Sequence, residues 1–307
     1  MTAEARPTLP PRPRAVIDAH HHVWDLANDL PWLKHERVPF RYGDYSAICR
    51  DYMPVDYRAD LAGWPVLASV YVEAEWAREK AAEESRWVAA VSKAEGLPSV
   101  VVAWCDLAAS GAATLLASHA AVSIVRGIRH KPAAASGPTD ARRGAAGSMD
   151  DPAWRRGYAL LERHRLSFDL QTPWWHLDAA ADLAKDFPAT QIIINHTGLP
   201  ADRSPEALAA WRRALERAAA QPNIALKISG LGLPGRPWAI ATNGPVIRDA
   251  LAIFGLGRTM FASNFPVDSL VGDFDTIFSG FLAATATLPG SDRDRLFHDN
   301  ARRIYRL

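Results

Sequence analysis

Three consecutive histidines, His20, His21 and His22, follow a short apolar segment that contains Asp18. Side chains on a β-strand alternate between its two faces, so His20 and His22 point the same way and His21 points to the other side. Two imidazoles on one face bind one divalent ion when each nitrogen lies about 2.0–2.1 Å from the metal. The spacing predicts a metal or active site at His20 and His22, with His21 structural. The alternative is a histidine-rich loop without chemistry.

Eight short segments rich in β-forming residues recur along the chain, with room for a helix between them. We predict strands at residues 16–19, 66–72, 99–104, 123–129, 167–171, 191–195, 224–228 and 260–263. Asp151-Pro152 and Ser204-Pro205 each combine an N-cap residue with a proline at the first helical position. Alternating strands and helices favour an α/β fold, a (β/α)8 or TIM barrel. The alternative is an open doubly wound sheet.

Composition narrows the class of protein and its partners. The chain has 307 residues, a net charge of +1 and no block of like charge, so we expect a small-molecule substrate and neither nucleic acid nor membrane as partner. Two cysteines are too few for a disulfide framework, which predicts a cytoplasmic protein. Residues 1–14 are rich in proline and predict a disordered lead-in before one domain at 15–307. A homo-oligomer stays open.

The first connection, residues 23–65, is much longer than the few residues usual between a strand and its helix. It is rich in aromatic and histidine side chains, namely Trp24, Trp32, His35, Tyr42, Tyr45 and Tyr52. We expect this connection to form a lid over the C-terminal mouth of the barrel. The alternative is a purely structural packing against its side.

Polar residues follow seven of the eight predicted strands. In a barrel of this type the carboxyl ends of the strands meet at one mouth, where active sites form. The residues at these ends are His20, His22, Glu73, Arg129, His130, Asp169, Gln171, His176, Asn195, His196, Lys227, Ser229, Asn264 and Asp268. Any one of them could merely cap its strand, but the set predicts an active site at the mouth.

Six motifs occur in order along the chain. They are VIDAHHHVWD at 16–25, GIRH at 127–130, NHTG at 195–198, LKISGL at 226–231, FASNFP at 261–266 and NARRIY at 300–305. Together they resemble the amidohydrolase superfamily, in particular the amidohydrolase-2 group, which includes sugar-acid lactonases and 2-pyrone-4,6-dicarboxylate lactonase. The resemblance covers residues 15–307.

The resemblance implies a barrel whose site lies at the C-terminal mouth. His20, His22 and His196 match the family's catalytic and metal-binding histidines, and the ion would be Zn or Mn. Glu73, Arg129 and His176 fall where relatives place groups that contact substrate or line the site. Further candidates for substrate binding, from their positions beyond predicted strands, are Trp24, His130, Gln171 and Lys227.

The chain departs from the superfamily at Asn264, where an aspartate usually binds the metal or accepts a proton from water. An amide accepts no proton at neutral pH, and loss of a general base commonly costs about 10²–10⁴ in rate. Three explanations stay open. The base is another residue (Asp268, His130 or Glu73), or Asn264 only orients water or substrate as part of the catalytic set, or hydrolysis is lost.

The need for a metal is also open. Without the carboxylate, three neutral histidines bind a cation more weakly, and a site without metal would use Arg129, Lys227 and the histidines to polarise the scissile carbonyl.

The leading hypothesis is a hydrolase that opens a lactone, a cyclic carboxylic ester, of a sugar acid or carboxylated ring by attack of water. Arg129 would pair with a substrate carboxylate or with the oxyanion, because its planar guanidinium can form two hydrogen bonds. Two alternatives stay open: a decarboxylase of an aromatic or unsaturated acid on the same scaffold, and a sugar-acid binder without catalysis.

Overall fold

The computed structural model describes residues 9–307. The first eight residues of the predicted lead-in lie outside this range. Of the remainder, Arg12 lies over the ring of Trp64 and donates to the carbonyl of Ala62 and to Asp275. This end of the described chain is therefore held against the barrel.

Within residues 9–307, eight parallel strands follow one another around one sheet in the order β1 to β8. The strands are β1 Val16–His21, β2 Val66–Val72, β3 Val100–Trp104, β4 Val125–His130, β5 Ser167–Leu170, β6 Ile192–Ile194, β7 Ile224–Ile228 and β8 Thr259–Phe261. All eight predicted strands are present, and their ends differ from the prediction by no more than two residues.

The first and last strands meet and nearly close the sheet into a barrel. The backbone amide of Asn264 donates to the carbonyl of His20, and that of His22 donates to the carbonyl of Phe265, both at 2.7 Å. A parallel bridge joins His21 and Phe265. The prediction of a (β/α)8 barrel is confirmed, and the open doubly wound sheet is wrong.

Helices lie between the strands along the chain and also follow the last strand. They are α1 Pro31–Lys34, α2 Pro54–Asp60, α3 Ala81–Glu95, α4 Ala112–Ala120, α5 Pro152–Tyr158, α6 Leu160–Arg163, α7 Leu177–Asp186, α8 Pro205–Ala219, α9 Ile240–Phe254, α10 Phe274–Ala284, α11 Gly290–Asp294 and α12 Asn300–Tyr305. Both predicted caps form, since Asp151 accepts from the amide of Ala153 and Ser204 from that of Ala207. None of the helices in residues 9–307 has the length and apolar character needed to cross a bilayer.

Two apolar clusters lie on the two faces of the strands. One packs the outer face against the helices. The other contains alternate strand residues such as Ile17, Ala19, Val70 and Val72, together with side chains of α12. We place the second cluster in the barrel interior, because inward side chains of each strand recur with a period of two.

The end of β1 breaks this alternation. Ile17 and Ala19 face the interior, so strict alternation would turn His20 outward. The pairing of β1 with β2 instead shifts register between Asp18 and His21. An extra residue of this kind re-aims the side chains that follow it. His20 and His22 therefore lie on the inner side, while His21 stacks on Tyr57 of α2 with ring centroids 4.3 Å apart.

A buried carboxylate holds the seam between β1 and β8. Asp18 is fully buried and accepts from the amide of Ser263 at 2.8 Å, from its hydroxyl at 2.5 Å and from the hydroxyl of Tyr57 at 2.8 Å. The amide of His20 also donates to Asp18, at 3.3 Å. One side chain thus satisfies donors from both ends of the sheet and from the first connection.

Asp18→Asn should destabilise the protein, because the amide group places a donor against donors. We expect the free energy of unfolding to fall by about 3 kcal/mol, the cost of leaving buried donors without an acceptor. Ser263→Ala, which removes a single hydroxyl, should cost about 1 kcal/mol. Urea unfolding of both variants measures the difference, and equal losses would contradict a central role for Asp18.

A second buried carboxylate predicts how stability depends on pH. Glu84 of α3 accepts from the hydroxyl of Tyr71 and the amide of Ala74, and burial together with the nearby charge of Glu73 raises the pKa of Glu84 to about 8. Between the ordinary value of 4.5 and about 8, the folded protein keeps a proton that the unfolded chain has released. The free energy of unfolding therefore falls as pH rises through this window.

Glu84→Gln should remove that loss, since the amide oxygen can accept the same two hydrogen bonds without titrating. The variant should gain stability relative to the wild type progressively from pH 5 to pH 8. Urea unfolding at several pH values measures this gain, and a constant difference across the range would count against it.

Candidate active site

A cavity of about 200 Å³ opens at the C-terminal mouth of the barrel. From the strand ends it is lined by His22, Glu73, Ala74, Glu75, Arg129, Lys131, Gln171, His196, Asn264 and Val267. From the first connection it is lined by Trp24, Trp32, Val38, Pro39, Phe40 and Arg41. The first connection is therefore a lid over the mouth, as the sequence predicts.

The lid is an aromatic cluster in its own right. Trp32 stacks on Phe40 with ring centroids 5.8 Å apart, and its ring nitrogen donates to the carbonyl of Ala74. Tyr45 donates from its hydroxyl to the carbonyl of Trp32, and Trp24 pairs with Tyr52 through backbone hydrogen bonds. These contacts give the cavity an apolar wall opposite the polar strand ends.

The predicted histidines come together. The ring centroid of His20 lies 5.1 Å from that of His22 and 4.7 Å from that of His196. His22 and His196 line the cavity, whereas His20 is fully buried next to them. Nδ1 of His22 donates to the carbonyl of Val72 at 2.7 Å, so Nε2 keeps its lone pair. Nδ1 of His196 is hydrogen-bonded to the hydroxyl of Ser229 at 2.8 Å.

Burial and positive neighbours keep these histidines neutral. Burial, with the charge of Arg129, lowers the pKa of His22 to about 3. Burial, with Lys227, lowers the pKa of His20 well below its ordinary value, and burial with Arg41 does the same for His196. A neutral imidazole is the form that binds a metal ion.

The three histidines are suitable ligands for a divalent ion, but their side chains do not have the arrangement of a metal site. Among residues 9–307, no group of three His, Cys, Asp or Glu side chains is arranged to hold a metal ion. Both ring nitrogens of His20, however, are buried and lack a hydrogen-bond partner in the described chain. The ring nitrogens of His21 are buried without a partner among the described residues as well, but they lie on the other face of the strand, whereas a metal ion held with His22 and His196 would satisfy one nitrogen of His20. Three imidazoles are a donor set of the zinc type.

Arg129 and Glu73 are bound to each other at the cavity wall. Nε of Arg129 donates to Oε1 of Glu73 at 2.7 Å, and Nη2 donates to the Glu73 carbonyl. Nη1 of Arg129 donates to Gln171. The other carboxylate oxygen of Glu73 accepts from the amide of Glu75 and from Arg78. These bonds leave Glu73 poorly placed as a free base and Arg129 with most donors engaged.

Asn264 is oriented by Asp268. Its Nδ2 donates to Oδ1 of Asp268 at 2.6 Å, which fixes the amide and leaves Oδ1 of Asn264 as an acceptor. Asp268 also accepts from the hydroxyl of Tyr42 at 2.9 Å, and burial raises its pKa. Asn264 has φ of 58°, in the left-handed region that asparagine tolerates. Asp268 itself does not line the cavity.

Lys227 lies in the barrel interior and not on the cavity surface. It is fully buried, and its Nζ donates to Oδ1 of Asp169 at 2.6 Å. The same oxygen accepts from the hydroxyl of Tyr305 and from Asn195. Burial lowers the pKa of Lys227. The predicted direct contact of Lys227 with substrate does not match this position, but its charge is close enough to act on His20.

The structure does not bring His130 and His176 to the cavity, contrary to the positions expected from the sequence. Nδ1 of His130 accepts from the indole of Trp154, on which the ring also stacks. Nε2 of His176 accepts from the backbone amide of Ala135. Both side chains hold loops in place, so His130 is not positioned as the base.

Sequence reasoning missed the charged residues that loops supply. Arg41 comes from the lid, and Lys131 and Glu75 form an ion pair at the rim of the cavity. None of these three lies in a motif or at a regular spacing. Their only signal is position, since Lys131 and Glu75 follow predicted strands and Arg41 lies in the aromatic connection.

Comparison with known proteins gives a consistent result. The Amidohydro_2 (amidohydrolase) family model matches residues 17–307. The chain is 37% identical over 300 residues to the protein named y4mH of Sinorhizobium fredii, covering 95% of this chain and 99% of that one. It is 29% identical over 297 residues to an L-fucono-1,5-lactonase of Burkholderia ambifaria, covering 95% of each chain.

A solved structure agrees with these relatives. An amidohydrolase of Burkholderia multivorans, crystallised with bound zinc, matches with a TM-score of 0.77 at 27% identity, covering 95% of this chain and 99% of that one. The family model, the relatives and the barrel with its mouth histidines all lead to one conclusion. The chain belongs to the amidohydrolase family.

Proposed function

We propose that this protein hydrolyses the ester bond of a sugar-acid lactone. The observation that carries the proposal is the cavity, in which His22, His196 and Asn264 face the aromatic wall of the lid. A lactone of this class has an apolar ring face, suited to Trp32 and Phe40, and a polar edge with the reactive carbonyl. Two relatives that align with 95% of this chain are named L-fucono-1,5-lactonases, which supports the same substrate class.

The chain's own residues would orient the two reactants. Oδ1 of Asn264, held by Asp268, would accept a hydrogen bond from the attacking water and aim its lone pair at the carbonyl carbon. His196, held by Ser229, would face the carbonyl from the neighbouring strand end. Nε2 of His22, whose Nδ1 donates to the carbonyl of Val72, presents a lone pair, so it would accept a hydrogen bond from the water or hold an ion rather than donate to the oxyanion. Fixed donors and dipoles at the developing charge stabilise a transition state without reorganisation.

We propose that His20, His22 and His196 would hold a divalent ion of the zinc type. Such an ion would polarise the carbonyl and lower the pKa of bound water, which would compensate for the missing carboxylate at Asn264. The unpartnered nitrogens of His20 support this assignment.

The purified protein should open aldonolactones, with L-fucono-1,5-lactone as the first compound to test. Acid release is followed with a pH indicator, with and without added Zn²⁺ or Mn²⁺ and after treatment with a chelator. His22→Ala should lower kcat at least 100-fold, whereas His130→Ala, which removes a histidine outside the cavity, should leave kcat within about threefold.

Flat progress curves across the panel under every metal condition would refute the lactonase proposal. Release of carbon dioxide from a dihydroxybenzoate under the same conditions would favour the decarboxylase alternative instead. Saturable binding of a lactone without turnover would favour the non-catalytic binder.

Asn264→Asp should impair the enzyme, because it sets two buried carboxylates against each other. Like charges at this distance cannot both ionise, so we expect kcat at neutral pH to fall at least tenfold and the free energy of unfolding to fall by about 2 kcal/mol. Enzyme assays and urea unfolding measure the two effects.

The double variant Asn264→Asp with Asp268→Asn is the matched control, since it restores one amide and one carboxylate with their positions exchanged. It should recover most of the lost stability. A single Asn264→Asp variant as stable and as active as the wild type would contradict the role of the Asn264–Asp268 pair.

A further inference from the structure

Arg41 joins the lid to the ends of β7 and β8. Its Nη2 donates to the hydroxyl of Tyr42 at 2.7 Å and to the carbonyl of Gly230 at 2.8 Å. The neighbouring Tyr42 donates to Asp268. Two adjacent lid residues thus anchor on the loops that follow the last two strands, and they bring a guanidinium group to the cavity wall.

The remaining donors of Arg41 are unused. Nε is buried without a hydrogen-bond partner, and Nη1 has none either among residues 9–307. Asp268 lies 3.7 Å from Nη2, too far for a hydrogen bond, and already accepts from Asn264 and Tyr42. The side chain of Arg41 is 28% exposed and lines the cavity. Its Nη1 is therefore free to donate to a bound molecule, while Nη2 keeps the ion pair with Asp268.

The other cations of the cavity lack this freedom. Arg129 is 4% exposed and donates to Glu73 and Gln171. Lys131 is paired with Glu75. Each of them is hydrogen-bonded to a carboxylate of the protein itself, whereas Arg41 forms only a longer ion pair, with its Nη2 3.7 Å from Asp268. Arg41 is thus the cavity cation best placed to bind a negatively charged group of a ligand.

Arg41 also lies beside His196. Gly230, with φ of 58°, lies against both side chains, and a Cβ there would overlap Nη2 of Arg41 and lie 2.6 Å from Nδ1 of His196. Glycine is required at this point because the backbone is left-handed and two functional side chains pack on it. The guanidinium and the imidazole consequently share one edge of the cavity.

Lactone opening creates negative charge where there was none. Water adds to the acyl carbon and gives up one proton, the ring C–O bond breaks, and the former ring oxygen takes up a proton and leaves as a hydroxyl. The resulting carboxylic acid then loses its proton to solvent. A neutral substrate becomes an anionic product through an oxyanion. A cation at the cavity wall with free donors is suited to stabilise the negative charge that develops in this reaction.

We propose that Arg41 is a catalytic residue, whose Nη1 donates to the carbonyl oxygen of the lactone as it becomes an oxyanion and then a carboxylate. This inference rests on the proposed lactone hydrolysis and adds a residue from the lid to it. The lid then supplies part of the reactive centre and not only a cover.

The test compares Arg41→Ala and Arg41→Lys with Arg37→Ala. Arg37 is the matched control, because it belongs to the same connection, contacts Cys49 and Tyr45, and does not line the cavity. Arg41→Ala should lower kcat at least 100-fold and weaken binding of the ring-opened acid L-fuconate about 30-fold, measured by calorimetry. Arg37→Ala should change neither value more than twofold.

Two further measurements separate contact with substrate from anchoring of the lid. Guanidinium chloride at millimolar concentration should restore part of the kcat of Arg41→Ala. Tyr42→Phe removes the bond to Asp268 and the one from Nη2 of Arg41, but it keeps the guanidinium and its bond to the carbonyl of Gly230. It should raise KM more than it lowers kcat and should not respond to guanidinium. Arg41→Lys keeps the positive charge but lacks the planar guanidinium with its paired donors. Its kcat should therefore lie between that of Arg41→Ala and that of the wild type.

The outcomes distinguish this inference from the proposed function. An active wild type whose kcat and L-fuconate affinity survive Arg41→Ala would overturn the role of Arg41 and leave the lactonase proposal intact. A wild type that opens no lactone but binds L-fuconate through Arg41 would refute the lactonase and retain Arg41 as an anion-binding residue. A wild type that neither opens lactones nor binds L-fuconate would overturn both.

Discussion

The active site depends on the hydrogen bonds that close the barrel between β1 and β8. His20 and His22 lie at the end of β1 and Asn264 follows β8, so they belong to opposite ends of the sheet, and only closure makes them neighbours. Asp18 holds this seam by accepting from Ser263 on one side and from the amide of His20 on the other. The bond from the amide of Asn264 to the carbonyl of His20 then sets Asn264 against the first strand.

Charge compensation decides which polar residues are free to act. A buried charge is tolerated only when it is paired and hydrogen-bonded. Arg129 forms an ion pair with Glu73, and Lys227 forms one with Asp169. The charges of these two cations are therefore neutralised within the protein. They nevertheless act on the site through their field, because Arg129 and Lys227 contribute to the lowered pKa values of the histidines. The groups that remain at the cavity are neutral imidazoles, an amide and the lid residue Arg41.

The sequence predicts the strands, the barrel, the lid and the mouth histidines, because hydrophobic period and motif order are local properties. It does not predict which strand-end residue faces the cavity. His130 and His176 follow strands as His22 does, yet Trp154 and the amide of Ala135 turn them to structural roles. Such partners lie far away along the chain. The register shift in β1 and the position of Arg41 depend on tertiary contacts of the same kind.

The amide at Asn264 has to be considered together with the carboxylate behind it. Asp268 lies one turn further along the chain and accepts from Asn264 and Tyr42 through the same oxygen. A carboxyl group is therefore retained at this edge, while the atom offered to the cavity is a neutral acceptor. Because Tyr42 belongs to the lid, one carboxylate oxygen holds a lid residue and the amide of Asn264 together. The lid is thus part of the hydrogen-bond network that orients Asn264.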